Sequence, residues 1–153
     1  DKIFTPLFFE DKIKLSCILS SMNLIKLLTV ENQFNTKIYN IIDDFYNFLK
    51  KNNWINKLIF WELELLKHVG YDLELNNIVS EEIINGKKLF FVKKNDEKKY
   101  VPNFLIEKNE DNLDLPTLLS GLKLVGDYLE KTILQPNNLS QPLSRIEFIN
   151  TLK

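Results

Sequence analysis

Alanine is absent from the 153 residues, and arginine occurs once, as Arg145, beside 19 lysines. An A/T-rich coding sequence gives that bias, so abundant lysine and asparagine carry little functional weight by themselves. Cysteine and histidine are also single. Cys17 excludes an internal disulfide, fits a reducing compartment, and with His68 alone cannot build a zinc ribbon. No metal and no cofactor are expected. The four glycines, Gly70, Gly86, Gly121 and Gly126, are scattered and form no phosphate-cradling loop. No run approaches the ~18 apolar residues of a membrane-spanning helix. The opening Asp1-Lys2-Ile3-Phe4-Thr5-Pro6 has neither the basic nor the apolar region of a signal peptide, and no initiator Met. A cytoplasmic location and residues upstream of Asp1 are therefore expected.

What remains is a soluble globular balance, with 44% hydrophobic and 27% charged residues. A net charge of -1 argues against broad adhesion to nucleic acid or anionic membrane, though not against a local basic patch. The length suits a single domain over 1–153.

Helical patterns dominate both ends. Ile13 to Leu28 carries Ile13, Leu15, Ile18, Met22, Ile25 and Leu28, and its length favours a buried helix. Phe34, Ile38, Ile41, Ile42, Phe45 and Leu49 follow as a helical stripe, with Lys37, Asn40, Asp43, Asp44 and Asn47 opposite. Asn52-Asn53 breaks the pattern and offers an N-cap. From Trp54 to Val69, one broad arc holds Trp54, Ile55, Leu58, Trp61, Leu65, Leu66 and Val69, with Phe60 and Leu63 on the other side. This helix is expected to be central, covered on more than one face, and stopped by Gly70 in a left-handed conformation. A fourth helix is expected over Leu115 to Leu134. Asp114 caps it, Pro116 sits in its first turn, and Leu115, Leu118, Leu119, Leu122, Val125 and Leu129 face inward. Pro136-Asn137-Asn138 ends it. A last helix from Pro142 should turn Leu143, Ile146, Ile149 and Leu152 inward.

Residues 76–112 differ. Leu89, Phe90, Phe91 and Val92 lie within Lys87 to Lys94, Asn95-Asp96 signals a turn, and Lys98 to Val101 suits a partner strand. Asn109 to Asn112 reads as a polar link. The expected fold is mainly α, a compact helical bundle (1–75 and 113–153) with a small β-hairpin insert.

Few residues suggest chemistry. A Cys17–His68 nucleophile pair is formally possible, but Cys17 lies in an apolar helical run, where free cysteine behaves as a small hydrophobe. The 21 acids mostly mark solvated faces, so no catalytic residue is expected. Glu62 points into the apolar arc among Leu58, Ile59, Leu65 and Leu66. A carboxylate there must be paired, protonated or at a rim. Arg145 is the expected partner, its planar fork matching a carboxylate. On the hairpin, Lys87, Lys88, Lys93, Lys94, Lys98 and Lys99 against Asp96 and Glu97 leave a local net of +4. That set suits phosphate contacts, with Phe90 or Phe91 as a stacking ring, or alternatively a solvated, edge-protecting set of charges.

The run Phe60-Trp61-Glu62-Leu63-Glu64-Leu65-Leu66-Lys67-His68-Val69-Gly70-Tyr71-Asp72-Leu73-Glu74-Leu75 resembles the signature of the bacterial recombination mediator family RecO. There an aromatic-Glu-Leu helix ends at Gly-Tyr and the chain turns into a small insert. Gly126-Asp127-Tyr128-Leu129-Glu130 is similar to the family's penultimate helix, and Gln141-Pro142-Leu143-Ser144-Arg145-Ile146-Glu147-Phe148 to its closing element. The three matches fall in family order over nearly the whole chain.

The resemblance implies a non-enzymatic accessory of DNA recombination and repair, cytoplasmic and nucleoid-associated. This chain would be the helical C-terminal part, following an N-terminal OB-fold that carries most of the DNA binding. The implied partners are RecR and the acidic-hydrophobic C-terminal tail of single-stranded DNA-binding protein, in strand annealing and RecA loading, with no membrane involved. Glu62, Gly70, Tyr71 and Arg145 are expected to be structural. Two departures matter. Some relatives hold a four-cysteine zinc in the insert, whereas Asn76-Asn77-Ile78-Val79-Ser80 begins an insert without cysteine. Some relatives carry arginine before the aromatic-Glu-Leu motif, in a place suited to gripping a tail carboxylate. Here Lys57-Leu58-Ile59-Phe60 stands there, so Lys57 and Trp61 are expected to border the tail pocket. The rival classes are a nucleic-acid-binding module on the lysine hairpin and an enzyme using Cys17 or carboxylates.

Overall fold

A computed structural model describes residues 4–29, 36–109 and 113–153, with side chains from Glu10 onward. Phe34 and residues 110–112 of the polar link lie outside the described residues. Among those described, seven α-helices and one three-stranded antiparallel sheet form, the mainly helical class expected. The chain divides into two compact units, Asp1–Asn52 with Gly126–Lys153, and Asn53–Val125.

The first unit holds α1 (Phe4–Leu28), α2 (Thr36–Leu49), the end of α6 (Leu115–Leu129) and α7 (Leu143–Leu152). On α1 the buried face is Cys17, Ser20, Ser21, Leu24 and Ile25, at i, i+3, i+4, i+7 and i+8. Three of these are small. They let α7 lie along α1, and the Asn23 amide donates to the Ser144 hydroxyl at 2.9 Å. On α2, Ile38, Ile41, Phe45, Phe48 and Leu49 are buried, and the Phe45 and Phe48 rings meet edge to face at 5.2 Å.

Helix α7 departs from expectation. Its buried residues are Ser144, Arg145, Phe148 and Leu152, while Leu143 is 68% exposed and Ile146 is also exposed. The inward face is chosen by polar partners. Ser144 has Asn23, and the Arg145 guanidinium lies against Gln141 (3.4 Å) and Gly126.

After α6 the chain widens into one π-type turn, Glu130–Leu134, in which the Gln135 N–H donates to the Glu130 carbonyl. Pro136 accounts for it: it has no N–H for the Thr132 carbonyl, and its ring crowds that oxygen. Asn138, at φ 56°, then closes the helix. The Leu139 N–H bonds the Leu134 carbonyl (2.8 Å) and the Asn138 N–H that of Gln135 (3.1 Å).

The second unit holds α3 (Trp54–His68), α4 (Leu75–Ile78), the sheet, α5 (Asn103–Glu107) and α6 up to Val125. Helix α3 is covered on several sides: Trp54, Asn56, Leu58, Ile59, Trp61, Glu62, Leu65 and Leu66 are all buried. Asn53 occupies its N-cap but makes no side-chain cap bond. Its end is a full Schellman motif. Gly70 adopts φ +97°, the Tyr71 N–H donates to the Leu66 carbonyl (2.8 Å) and the Gly70 N–H to that of Lys67 (3.1 Å). Gly70→Ala is expected to cost about 1–2 kcal/mol, because an L side chain rarely adopts that φ. Urea unfolding measures it, and an unchanged midpoint would mean the helix end is not held this way.

Gly121 brings α6 close to α3 and α5. A Cβ there would stand 2.8 Å from the Phe104 ring and 3.2 Å from Ile59. Asp114 caps α6 as expected, accepting from the Thr117 N–H at 2.9 Å. Leu118, Leu122, Val125 and Leu129 face inward, whereas Leu115 is exposed.

The insert is larger than a hairpin. Strand β1 (Ser80–Ile84) pairs with β2 (Lys87–Lys94), which pairs with β3 (Glu97–Val101), in the order β1-β2-β3. Asn85 (φ 53°) with Gly86 (φ 78°), and Asn95 (φ 53°) with Asp96 (φ 62°), form the two-residue turns.

Candidate functional site

Two places bear on function: the motif helix α3 and the sheet that follows it. Lys57 and Trp61 lie four residues apart and therefore on one side of α3. Lys57 is half-buried. Trp61 is 6% exposed, so its ring is packing more than surface. Glu62 is 2% exposed, and no buried side-chain nitrogen or oxygen among the described residues lacks a hydrogen-bond partner. Its carboxylate is thus satisfied in the interior. Tyr71 is exposed at the Schellman turn. Arg145 is also 2% exposed. Cys17 is fully buried, an environment in which a thiol is inert.

In the sheet, directly paired residues share a face. Lys87, Leu89, Phe91 and Lys93 of β2 therefore stand with Ile84, Glu82 and Ser80 of β1, and with Tyr100 and Lys98 of β3. On the other face are Lys88, Phe90, Val92 and Lys94, with Ile83, Glu81, Val101, Lys99 and Glu97. The six lysines are all exposed but split evenly between the two faces. Strand β1 also adds Glu81 and Glu82, so six lysines meet four carboxylates and the net charge of the sheet with its turns (80–101) falls to +2. Lys88 pairs with Glu81 at 3.4 Å. Phe90 and Phe91 are 5% and 9% exposed, closed to base stacking.

A polar clasp spans the first face. Glu82 accepts from the Lys98 ammonium at 2.7 Å and from the Tyr100 hydroxyl. The ammonium also lies 4.7 Å from the Phe91 ring centroid. Hydrogen bonds from Lys98 first, then Tyr100, hold the Glu82 carboxyl below its ordinary value. The bond to Glu82 holds both Lys98 and Tyr100 above theirs. The depressed acid stabilises the sheet above the ordinary Glu pKa of 4.5, and that support is lost as pH falls through the folded value. The raised Lys98 and Tyr100 give support below their ordinary 10.5 and 10.0, lost as pH rises through their folded values. Hydrogen exchange of the sheet amides, corrected for intrinsic rates, is expected to be slowest relative to the coil on a plateau between those limits. A profile that follows intrinsic rates alone would contradict the clasp.

The insert does not fit the zinc that the resemblance brings with it. It contains no thiolate, and among the described residues no three His, Cys, Asp or Glu side chains converge. A groove of about 570 Å³ also opens in this unit, between Tyr100, Phe104, Leu113 and Pro116. It does not include Lys57 or Trp61.

Such a chain is a mainly helical protein with a small antiparallel insert between its motif helix and α6. It belongs to the recombination protein O C-terminal family, whose pattern matches residues 10–140. The chain is 19% identical to the DNA repair protein RecO of Rhodospirillum centenum over 155 aligned positions, covering 92% of this chain and 61% of that protein. It is 34% identical to the DNA repair protein RecO of Ehrlichia chaffeensis over 71 residues, 45% of this chain and 29% of that one. It thus spans less than two thirds of the length of these relatives. No solved structure matches it significantly. No described helix is long and apolar enough to cross a membrane.

Proposed function

We propose that this chain is the helical docking part of a RecO-type DNA repair and recombination protein, with no catalytic step of its own. The supporting observation is the family match over residues 10–140. In this reading the chain receives the acidic-hydrophobic C-terminal tail of single-stranded DNA-binding protein and works with RecR in strand annealing and RecA loading. Lys57 supplies the charge for the tail carboxylates, as a point charge rather than a fork. Trp61, one turn further along α3 and mostly packed, backs the apolar side of that site from beneath.

The test is titration of the chain with a tail peptide, followed by solution NMR. The Lys57 amide and the Trp61 indole are expected to shift, and Lys57→Glu to weaken binding at least tenfold, about 1.4 kcal/mol. If neither resonance moves and Lys57→Glu binds as tightly, the tail does not dock here.

A further inference from the structure

The tip of the first hairpin is built unlike the rest of the sheet. Ile83, Ile84, Asn85, Gly86, Lys87 and Lys88 are all exposed, and Ile83, at 75%, is the most exposed large hydrophobic residue among those described. A Cβ on Gly86 would meet nothing within 4 Å, so the turn stands clear of its surroundings. The register sets Ile83 beside Lys88 on one face and Ile84 beside Lys87 on the other. Each side of the tip thus carries one apolar branched side chain and one cation. A convex tip offers no pocket, so its apolar atoms leave water only by entering something else. The two flanking cations call for an object with anionic edges and an apolar gap. A base stack between phosphate backbones has that form. A stack opens most cheaply where a duplex meets single strand.

We infer that the β1–β2 tip is a wedge for a junction between double- and single-stranded DNA, with Ile83 and Ile84 entering the stack and Lys87 and Lys88 on the flanking phosphates. The Lys88–Glu81 pair does not stand in the way. Both side chains are more than half exposed, and such pairs are exchanged at little cost. The buried Phe90 and Phe91 are not needed. None of these residues belongs to the tail-docking proposal, so either can fail without the other.

The test uses the chain with a DNA hairpin bearing a single-stranded tail and 2-aminopurine at the junction, at about 50 mM salt. Binding of the native chain is expected to raise the fluorescence severalfold as the base unstacks. Ile83→Ser with Ile84→Ser should abolish that rise while anisotropy still reports binding within about threefold. Lys87→Gln with Lys88→Gln should lower affinity and flatten the log–log salt dependence by about two, near 0.9 per phosphate contact. Failure of the native chain to bind, binding without a rise, or an equal rise from the serine variant would overturn the wedge and leave an exposed turn or a tip for a protein groove.

Discussion

Replacing Glu62 with alanine is expected to remove about 3–5 kcal/mol of stability, read as a lower urea midpoint at constant slope. Glu62 is buried on α3 among apolar neighbours, and its carboxylate is satisfied. Alanine removes a buried, satisfied acceptor and opens space in a packed interior, two penalties that add. Glu62→Gln keeps the shape and one acceptor, so its loss should be smaller, about 1–3 kcal/mol. An alanine variant within about 0.5 kcal/mol of the parent, the usual range for surface changes, would show that the carboxylate reaches water. The partnership with Arg145 expected from the sequence is decided by a double-mutant cycle. A coupling above about 0.5 kcal/mol supports it, and additivity excludes it.

Gly126→Val is expected to cost about 1–3 kcal/mol through overpacking. A Cβ at this position would lie 2.8 Å from the Arg145 Nη1 and 3.2 Å from the Gln141 Nε2. The Gln141 amide donates to the Gly126 carbonyl at 2.8 Å, so the side chain that would have to yield is tied to the same backbone. Arg145 is buried and has no solvent to swing into. Valine adds two further carbons to the clash. Alanine adds none and gains up to about 1 kcal/mol of helix propensity, so it should cost less. Thermal unfolding of both variants checks this. Equal stability of valine and parent would mean that α6 and Arg145 do not approach so closely.

The same arginine shows where sequence reasoning ran out. Helices α2, α3 and α6 were legible because their apolar residues recur at helical spacing, and Gly70 and Pro136 mark ends by their backbone chemistry, Asp114 by its capping carboxylate. Helix α7 was not. Its inward residues include Ser144 and Arg145, drawn in by Asn23, which lies 121 residues from Ser144, and by Gly126, and a wheel of apolarity is blind to such partners. Strand β1 was missed because Ser-Glu-Glu-Ile-Ile has little alternation. The Asn85-Gly86 pair was the signal that could have found it. Once that strand is present, the lysine patch loses half its net charge and divides between two faces. Lys57 and Trp61 were singled out by a motif. The exposed Ile83 and Ile84 could not have been, since sequence does not distinguish an apolar residue in a core from one at a tip.

The two-residue turns of the insert have a kinetic consequence. Ser80 pairs with Phe91 and Phe90 with Val101, each eleven residues apart. Bringing such partners together costs little loop-closure entropy, and hairpins of this size form within about 1–10 μs. The insert can therefore zip up from its own turns before distant helices meet. A segment that assembles from neighbours alone can change what fastens it without disturbing the order in which the helices find each other.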